Sequence, residues 1–355
     1  MHPGRQMHLS RLARTILLPF LLIALAVSIQ AQAKAPTPTP TPTPDLQEVD
    51  PEDVISVNTA EVSLPVTVRD SAGYLVNDLT RKDFRVYEDG VDQPLSDFSL
   101  RKVPVDVALI VDASSSVADN LDDFRNAAEG FASHLASDDR VSLIQFDDRV
   151  VMLQDWTGNL VQLRRALRRI VPGMFTRFHD AMLLASRDQA PRPNARHAII
   201  VLTDGIDSGR GSTFDAALRA ALQGQTTVYV VSNTEIERAR KQEELSTLLS
   251  GSESAVRFNQ LRIDDLRLGL AALKESERNL EQLTAATGGR LYKPASFNDL
   301  ERTYAEVADE LRHQYTLYYS PLNTKRDGKF RRVRVETTSP THQVAARIGY
   351  YAPKH

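Results

Sequence analysis

From Ser56 to Leu100 apolar and polar residues alternate, as in Val62, Leu64, Val66 and Val68, with turn signals at Asp70-Ser71-Ala72-Gly73 and Asp89-Gly90. A period of two predicts short antiparallel strands with one buried face. The same texture returns only towards the far end, in Tyr315 to Tyr319, Arg331 to Thr337 and Gln343 to Tyr350, around the turn Lys325-Arg326-Asp327-Gly328. Between these flanks the pattern changes. Val105 to Val111 is a nearly continuous apolar run, suited to a strand covered on both faces. Asn120 to Leu135 then places Phe124, Ala127, Ala128, Phe131 and Leu135 on one helical stripe. Further strands are predicted at Val141 to Phe146, Val150 to Leu153, His197 to Leu202 and Thr227 to Val231. Helices are predicted at Leu160 to Ile170, Asp180 to Asp188, Phe214 to Leu222, Leu280 to Thr287 and Leu300 to Arg312, and Gly288-Gly289 suits a left-handed cap after the fourth of these.

Strands alternating with helices imply an α/β fold, a Rossmann-like, mostly parallel sheet with helices on both faces and ligands bound beyond the carboxyl ends of its strands. Each β-rich flank is too short to close a core, so the two are expected to pair into one small sandwich-like domain with the middle of the chain inserted between them. The expected organisation is a signal peptide over 1–33, a Pro/Thr-rich linker over 34–52 and a β-rich segment over 53–103. The α/β domain then spans 104–312, and a β-rich C-terminal segment, 313–355, pairs with 53–103. About 40 residues separate the strand ending near Ser232 from the Leu280 helix, far more than an ordinary connection. This insert, about 234–275, is charged, with Leu245, Leu248 and Leu249 and then Leu266, Leu270 and Leu273 at helical spacing, and reads as a surface helical hairpin or a partner-specific element.

The chain's start changes the picture more than its composition. Arg5, Arg11 and Arg14 precede the apolar run Thr15 to Ile29, and Ala31-Gln32-Ala33 follows as a small-x-small cleavage pattern, so export to a periplasmic, cell-surface or secreted location is expected. An uncleaved signal anchor would be the one membrane span. Proline alternating with threonine from Pro36 to Pro44 favours an extended polyproline spacer. The 355 residues include no cysteine, which removes disulfides and thiolate metal sites. A formal net charge of -3 gives no general reason to expect a nucleic-acid partner.

Candidate chemistry gathers at predicted strand ends. The Val105 to Val111 strand runs into Asp112-Ala113-Ser114-Ser115-Ser116, one carboxylate and several hydroxyls on a tight turn. A hard cation such as Mg²⁺ takes about six oxygen ligands, some of them water, and such a turn supplies part of that set. Leu202-Thr203-Asp204-Gly205 closes another apolar strand, and Gly173-Met174-Phe175-Thr176 leads into the helix expected from Asp180. All three loops are expected on one edge of the sheet.

With these three loops in this order, the segment from about Pro104 to Arg312 resembles the von Willebrand factor type A family. Its metal-ion-dependent adhesion site combines a DxSxS turn, a threonine from a second loop and an aspartate from a third. The resemblance implies that Ser114, Ser116 and Thr176 offer hydroxyls, and that Asp112 and Asp204 bind Mg²⁺ (or Mn²⁺ or Ca²⁺) directly or through water. It further implies a protein ligand that completes the metal shell with an Asp or Glu side chain. The pattern departs at Met174-Phe175, where that family usually has a glycine before the threonine. Bacterial von Willebrand factor A-related proteins are also similar in joining β-rich flanks to this domain, with a C-terminal segment like Gly349-Tyr350-Tyr351-Ala352-Pro353.

Blander readings compete at each point. Asp112 and the serines could merely cap a helix, which leaves the other two loops to coincidence. Asp119 resembles an additional carboxylate of some adhesion sites but sits where an N-cap belongs. His179 and His197 read as hydrogen-bonded fillers, Trp156 as core or rim packing, and Arg331-Arg332-Val333-Arg334 as largely the solvated face of a strand. A metal-assisted hydrolase would want a second carboxylate two residues after Asp112, where Ser114 stands, and the chain lacks HExxH, GxSxG and GxxxxGK motifs. No catalytic residue or organic cofactor site is therefore assigned. The sequence reads as a binding protein, with a structural module carrying a vestigial metal site as the alternative.

Overall fold

The computed structural model describes residues 61–100, 103–114, 120–187, 192, 195–209 and 211–354. The expected signal and Pro/Thr linker, together with Ser116 and Asp119, lie outside the described residues.

The centre is a six-stranded sheet in the order β10-β9-β8-β5-β6-β7. Its strands are β5 (Val105–Asp112), β6 (Arg140–Phe146), β7 (Val150–Thr157), β8 (Arg196–Thr203), β9 (Thr227–Ser232) and β10 (Leu291–Tyr292). All eight residues of β5 are buried, as its unbroken apolar run requires. Successive side chains point to opposite faces. Val107, Leu109 and Val111 pack with α1 (Leu121–Ser133), α2 (Leu160–Leu167) and α8 (Leu300–Arg312). Ala108 and Ile110 pack with α3 (Phe178–Arg187), α4 (Phe214–Gln223) and the end of α7 (Gln260–Thr287).

Strands β5, β6, β8, β9 and β10 are parallel, and β7 closes one edge antiparallel to β6. The fold is therefore the mostly parallel, two-face-covered α/β sheet that the alternation of strand and helix implies. Two details differ. Strand β7 runs to Thr157, beyond the alternation that ends at Leu153, and β10 has two residues, too few for any periodic signal.

The flanks form two further antiparallel sheets around one shared core. One has the order β13-β1-β11-β4 and the other β14-β12-β2-β3. The N-terminal flank gives β1 (Val62–Arg69), β2 (Phe84–Glu88), β3 (Val91–Gln93) and β4 (Leu95–Leu100). The C-terminal flank gives β11 (Tyr315–Tyr319), β12 (Phe330–Thr337), β13 (Gln343–Ala346) and β14 (Gly349–Tyr351). Strand β1 pairs with β11 on one side and β13 on the other, while β2 pairs with β12. Val62, Leu64, Val66 and Val68 thus share a core with Tyr315, Leu317, Tyr319 and Tyr350.

The insert is α5 (Thr234–Leu249), α6 (Glu253–Phe258) and the first turns of α7. The helix expected from Leu280 is the last part of this 28-residue helix, so the insert is continuous with a core element. Leu266 and Leu273 are buried, whereas Leu249 is exposed. Helix α7 ends at Gly288, whose φ of 77° is the left-handed cap that the glycine pair suggests. Among the described residues no helix is long and apolar enough to cross a membrane.

Candidate metal centre

Parallel register brings two of the three loops, those after β5 and β8, to one sheet edge. Val111 lies beside Leu202 and Asp112 beside Phe146, so the segments after β5, β6 and β8 leave the sheet together. Asp112 is fully buried. Its Oδ1 accepts the Ser114 N–H at 2.9 Å, and its Oδ2 accepts the Thr203 hydroxyl at 2.8 Å. The Thr203 hydroxyl in turn accepts the Gly205 N–H at 2.9 Å. Asp204 is buried, its Oδ1 accepts the Ile206 N–H at 3.0 Å, and its carbonyl accepts the Ser276 hydroxyl of α7. Gly205 turns the chain at φ +69°, and a Cβ there would stand 2.5 Å from Ser276 Oγ and 2.7 Å from Leu280 Cδ1. Only glycine meets both demands.

The threonine loop is laced to its two neighbours. The Gly173 N–H donates to the Ala113 carbonyl at 2.7 Å, and the Ala113 N–H donates to Phe146 at 2.9 Å. Buried Thr176 donates its N–H to Ser208 Oγ at 2.9 Å, and its carbonyl accepts the N–H groups of Ser208 and Gly209. His179 donates its N–H to Asp207 Oδ2 at 2.8 Å, and its Nδ1 lies 3.1 Å from the same oxygen. Helix α3 begins at Phe178, two residues before the expected start, because Thr176 and His179 are held to this third loop. Asp112, Ser114, Thr176 and Asp204 are thereby brought to one edge on a fixed backbone.

The electrostatics follow from burial. Loss of water pushes Asp112 up to about 6; hydrogen bonds from Ser114 and Thr203 oppose this, and the charge of Asp147 adds to it. Burial and then the charge of Asp112 push Asp204 up to about 7. Burial would also raise Asp207, but hydrogen bonds from His179 and Gly209 outweigh it and hold that carboxyl low. Two carboxylates that resist ionisation beside each other, flanked by hydroxyls, form a hard-oxygen donor set suited to Mg²⁺, Mn²⁺ or Ca²⁺. Among the described residues no group of three or more His, Cys, Asp or Glu could hold a metal ion, so any cation here relies on hydroxyls and water as well.

Several contributors carry no separate motif. Thr203 stands inside the quoted Leu-Thr-Asp-Gly string, yet its link to Asp112 needs the β5 and β8 register. Asp147 follows β6, Ser208 lies further along the loop that carries Asp204, and Ser276 comes from α7, while Glu237 and Lys241 of α5 lie near enough to bear on Asp204. His179 does make hydrogen bonds, whereas His197 Nδ1 is buried without a partner and burial lowers its basicity. Of the arginine run, Arg332 and Arg334 are exposed, while Arg331 is buried against Asp327.

Residues 106–268 match the family model of the von Willebrand factor type A domain. This part of the chain is a von Willebrand factor type A domain. Three solved structures are similar to part of the chain. Proximal thread matrix protein 1 from the mussel byssus is 14% identical with a TM-score of 0.43, the match covering 60% of this chain and 49% of that one. The vWF domain of the type V pili tip protein Mfa5 from Porphyromonas gingivalis is 14% identical with a TM-score of 0.43, covering 59% and 95%. The conserved hypothetical protein BatB from Bacteroides thetaiotaomicron is 18% identical with a TM-score of 0.40, covering 59% and 99%. The chain thus spans about half the length of the mussel protein. No curated protein matches it.

Proposed function

We propose that this chain is an exported, non-enzymatic, metal-dependent protein-binding module. Asp112, Ser114, Ser116, Thr176 and Asp204 would hold Mg²⁺ or a similar divalent cation, and a partner's Asp or Glu side chain would complete its shell. The observation that carries this reading is the joining of three hydroxyl- and carboxylate-bearing loops on one edge, with two buried carboxylates whose ionisation burial opposes, the charge of Asp112 adding to the cost at Asp204. A bound cation supplies positive charge that relieves this cost and an open coordination position for an incoming carboxylate. The protein's own part is to hold the oxygens in place, through Thr203 on Asp112 and Ser208 on the threonine loop. Export follows from the basic and apolar pattern of Arg5 to Ala33, and the domain limits of 104–312 from the span of alternating strands and helices.

A vestigial site is the second reading, favoured by the protein donors that both Asp112 oxygens already accept. The deciding measurement is a melting curve in Mg²⁺ or Mn²⁺ against EDTA. A ligand at about 100 times its Kd that binds only the folded state adds about 2.7 kcal/mol of stability. The expected result is a rise in Tm for the wild type and none for Asp112→Ala. Equal Tm values for the wild type in both buffers would reject the metal reading and leave the structural module.

A further inference from the structure

Beside Thr176 the loop 171–175 exposes Val171 by 65%, Met174 by 76% and Phe175 by 56%. Fourteen large apolar side chains are exposed among the described residues, and three of them fall within these five positions. Single exposed apolar residues are ordinary, but a cluster at the mouth of a candidate site marks an interaction surface. The loop is also rigidly held. Val171 exchanges hydrogen bonds with the Gln145 side chain, Gly173 donates to Ala113, and Phe175 donates to Asp148 Oδ1 at 2.8 Å. The backbone therefore keeps Met174 and Phe175 out in solvent, already ordered for contact, so little backbone entropy is lost when they are covered.

We propose that Met174 and Phe175 form an apolar rim of the metal centre, selecting a protein partner whose metal-binding Asp or Glu stands next to a large apolar side chain. This rests on the metal-dependent reading above and names the partner surface it serves. Charge complementarity sets the first half of that chemistry, because a cation held by Asp112 and Asp204 attracts a carboxylate. Adjacency sets the second half. Thr176 directly follows Phe175, so a residue neighbouring the partner's carboxylate falls on this loop.

The test uses phage-displayed heptapeptides with a fixed central aspartate and randomised neighbours, selected on the purified chain in Mn²⁺ and eluted with EDTA. Large apolar residues should be enriched beside the aspartate. Enrichment should vanish on the Met174→Ser/Phe175→Ser double variant, which should bind the selected peptides roughly tenfold to a hundredfold more weakly, as expected for losing one or two buried apolar side chains. The Mn²⁺-induced rise in Tm should be the same in both proteins. Polar neighbours enriched equally, unchanged peptide affinity in the double variant, or a normal Mn²⁺ shift with no EDTA-eluted peptide would each overturn the rim while leaving the metal centre standing. Self-association of the wild type that the double variant loses would put a second copy on the loop and also overturn the proposal. Absence of any Mn²⁺ shift in the wild type is the separate failure of the metal reading, and the rim falls with it.

Discussion

Asp112 titrates near pH 6 and Asp204 near pH 7 because burial strips both carboxylates of water, and the charge of Asp112 opposes ionisation of Asp204. Without a cation, the folded protein keeps protons that the unfolded chain releases from about pH 4 upward. The folded pKa values are raised, so this contribution to stability falls as pH rises from about 4 to about 7 and stays low above that. Asp204→Asn removes one of the two charges and nearly preserves shape. In EDTA at pH 8 it should melt above the wild type, and the gap should shrink as the pH falls below about 7. In saturating Mg²⁺ at pH 8 the order should reverse, since the variant has lost a ligand. Thermal melts over this pH range check both halves, and an Asp204→Asn protein that is less stable in EDTA at pH 8 would contradict the electrostatic account.

At the level of elements, helix α8 ties the central sheet to the flanking strands through one buried group. Glu310 is 1% exposed, and its Oε2 accepts both the Arg69 guanidinium of β1 and the Tyr292 hydroxyl of β10 at 2.8 Å. Removing one partner from a buried ion pair leaves a charge without compensation, at about 3–5 kcal/mol. Arg69→Ala should therefore destabilise the protein strongly. Glu310→Gln should cost less, because its amide oxygen still accepts a hydrogen bond and the charge it leaves unpaired on Arg69 is partly exposed to water. A double variant less destabilised than the sum of the two would show that the residues act as a pair, and strict additivity in denaturant titrations would show that they do not. Helix α7 makes a further tie within the central domain, where Ser276 and Leu280 close over the Asp204-Gly205 turn after β8.

Across the whole molecule, β1 is hydrogen-bonded on both sides by strands from the other end of the chain. Such pairing has high sequence separation and gives the ends little structure until they meet. Deleting residues 314–355 should leave Val62 to Arg69 without either neighbour, and amide exchange there should accelerate towards unprotected rates. The central β5 and β8 strands, which pair only within the middle of the chain, should lose far less protection. Unaltered exchange in β1 after the deletion would mean that this strand is ordered without its partners.

The sequence alone determined the elements whose signal is periodic and long. The unbroken run of β5, the stripe of α1 and the alternation of β1 follow from which faces must leave water, and this information is local. The placement of Asp112, Thr176 and Asp204 at element ends was legible for the same reason. Long-range register decided the rest. Thr203 reaches Asp112 only because β8 lies in register beside β5, and Ser208 meets Thr176 only because two loops fold towards each other. The insert's leucines gave helical spacing but no sign that α7 would run unbroken into the core, since helix ends depend on what a helix packs against. Hydrophobic burial writes itself into each segment's own pattern, whereas polar contacts between distant loops exist only in the packed molecule, where tertiary geometry chooses which side chains meet.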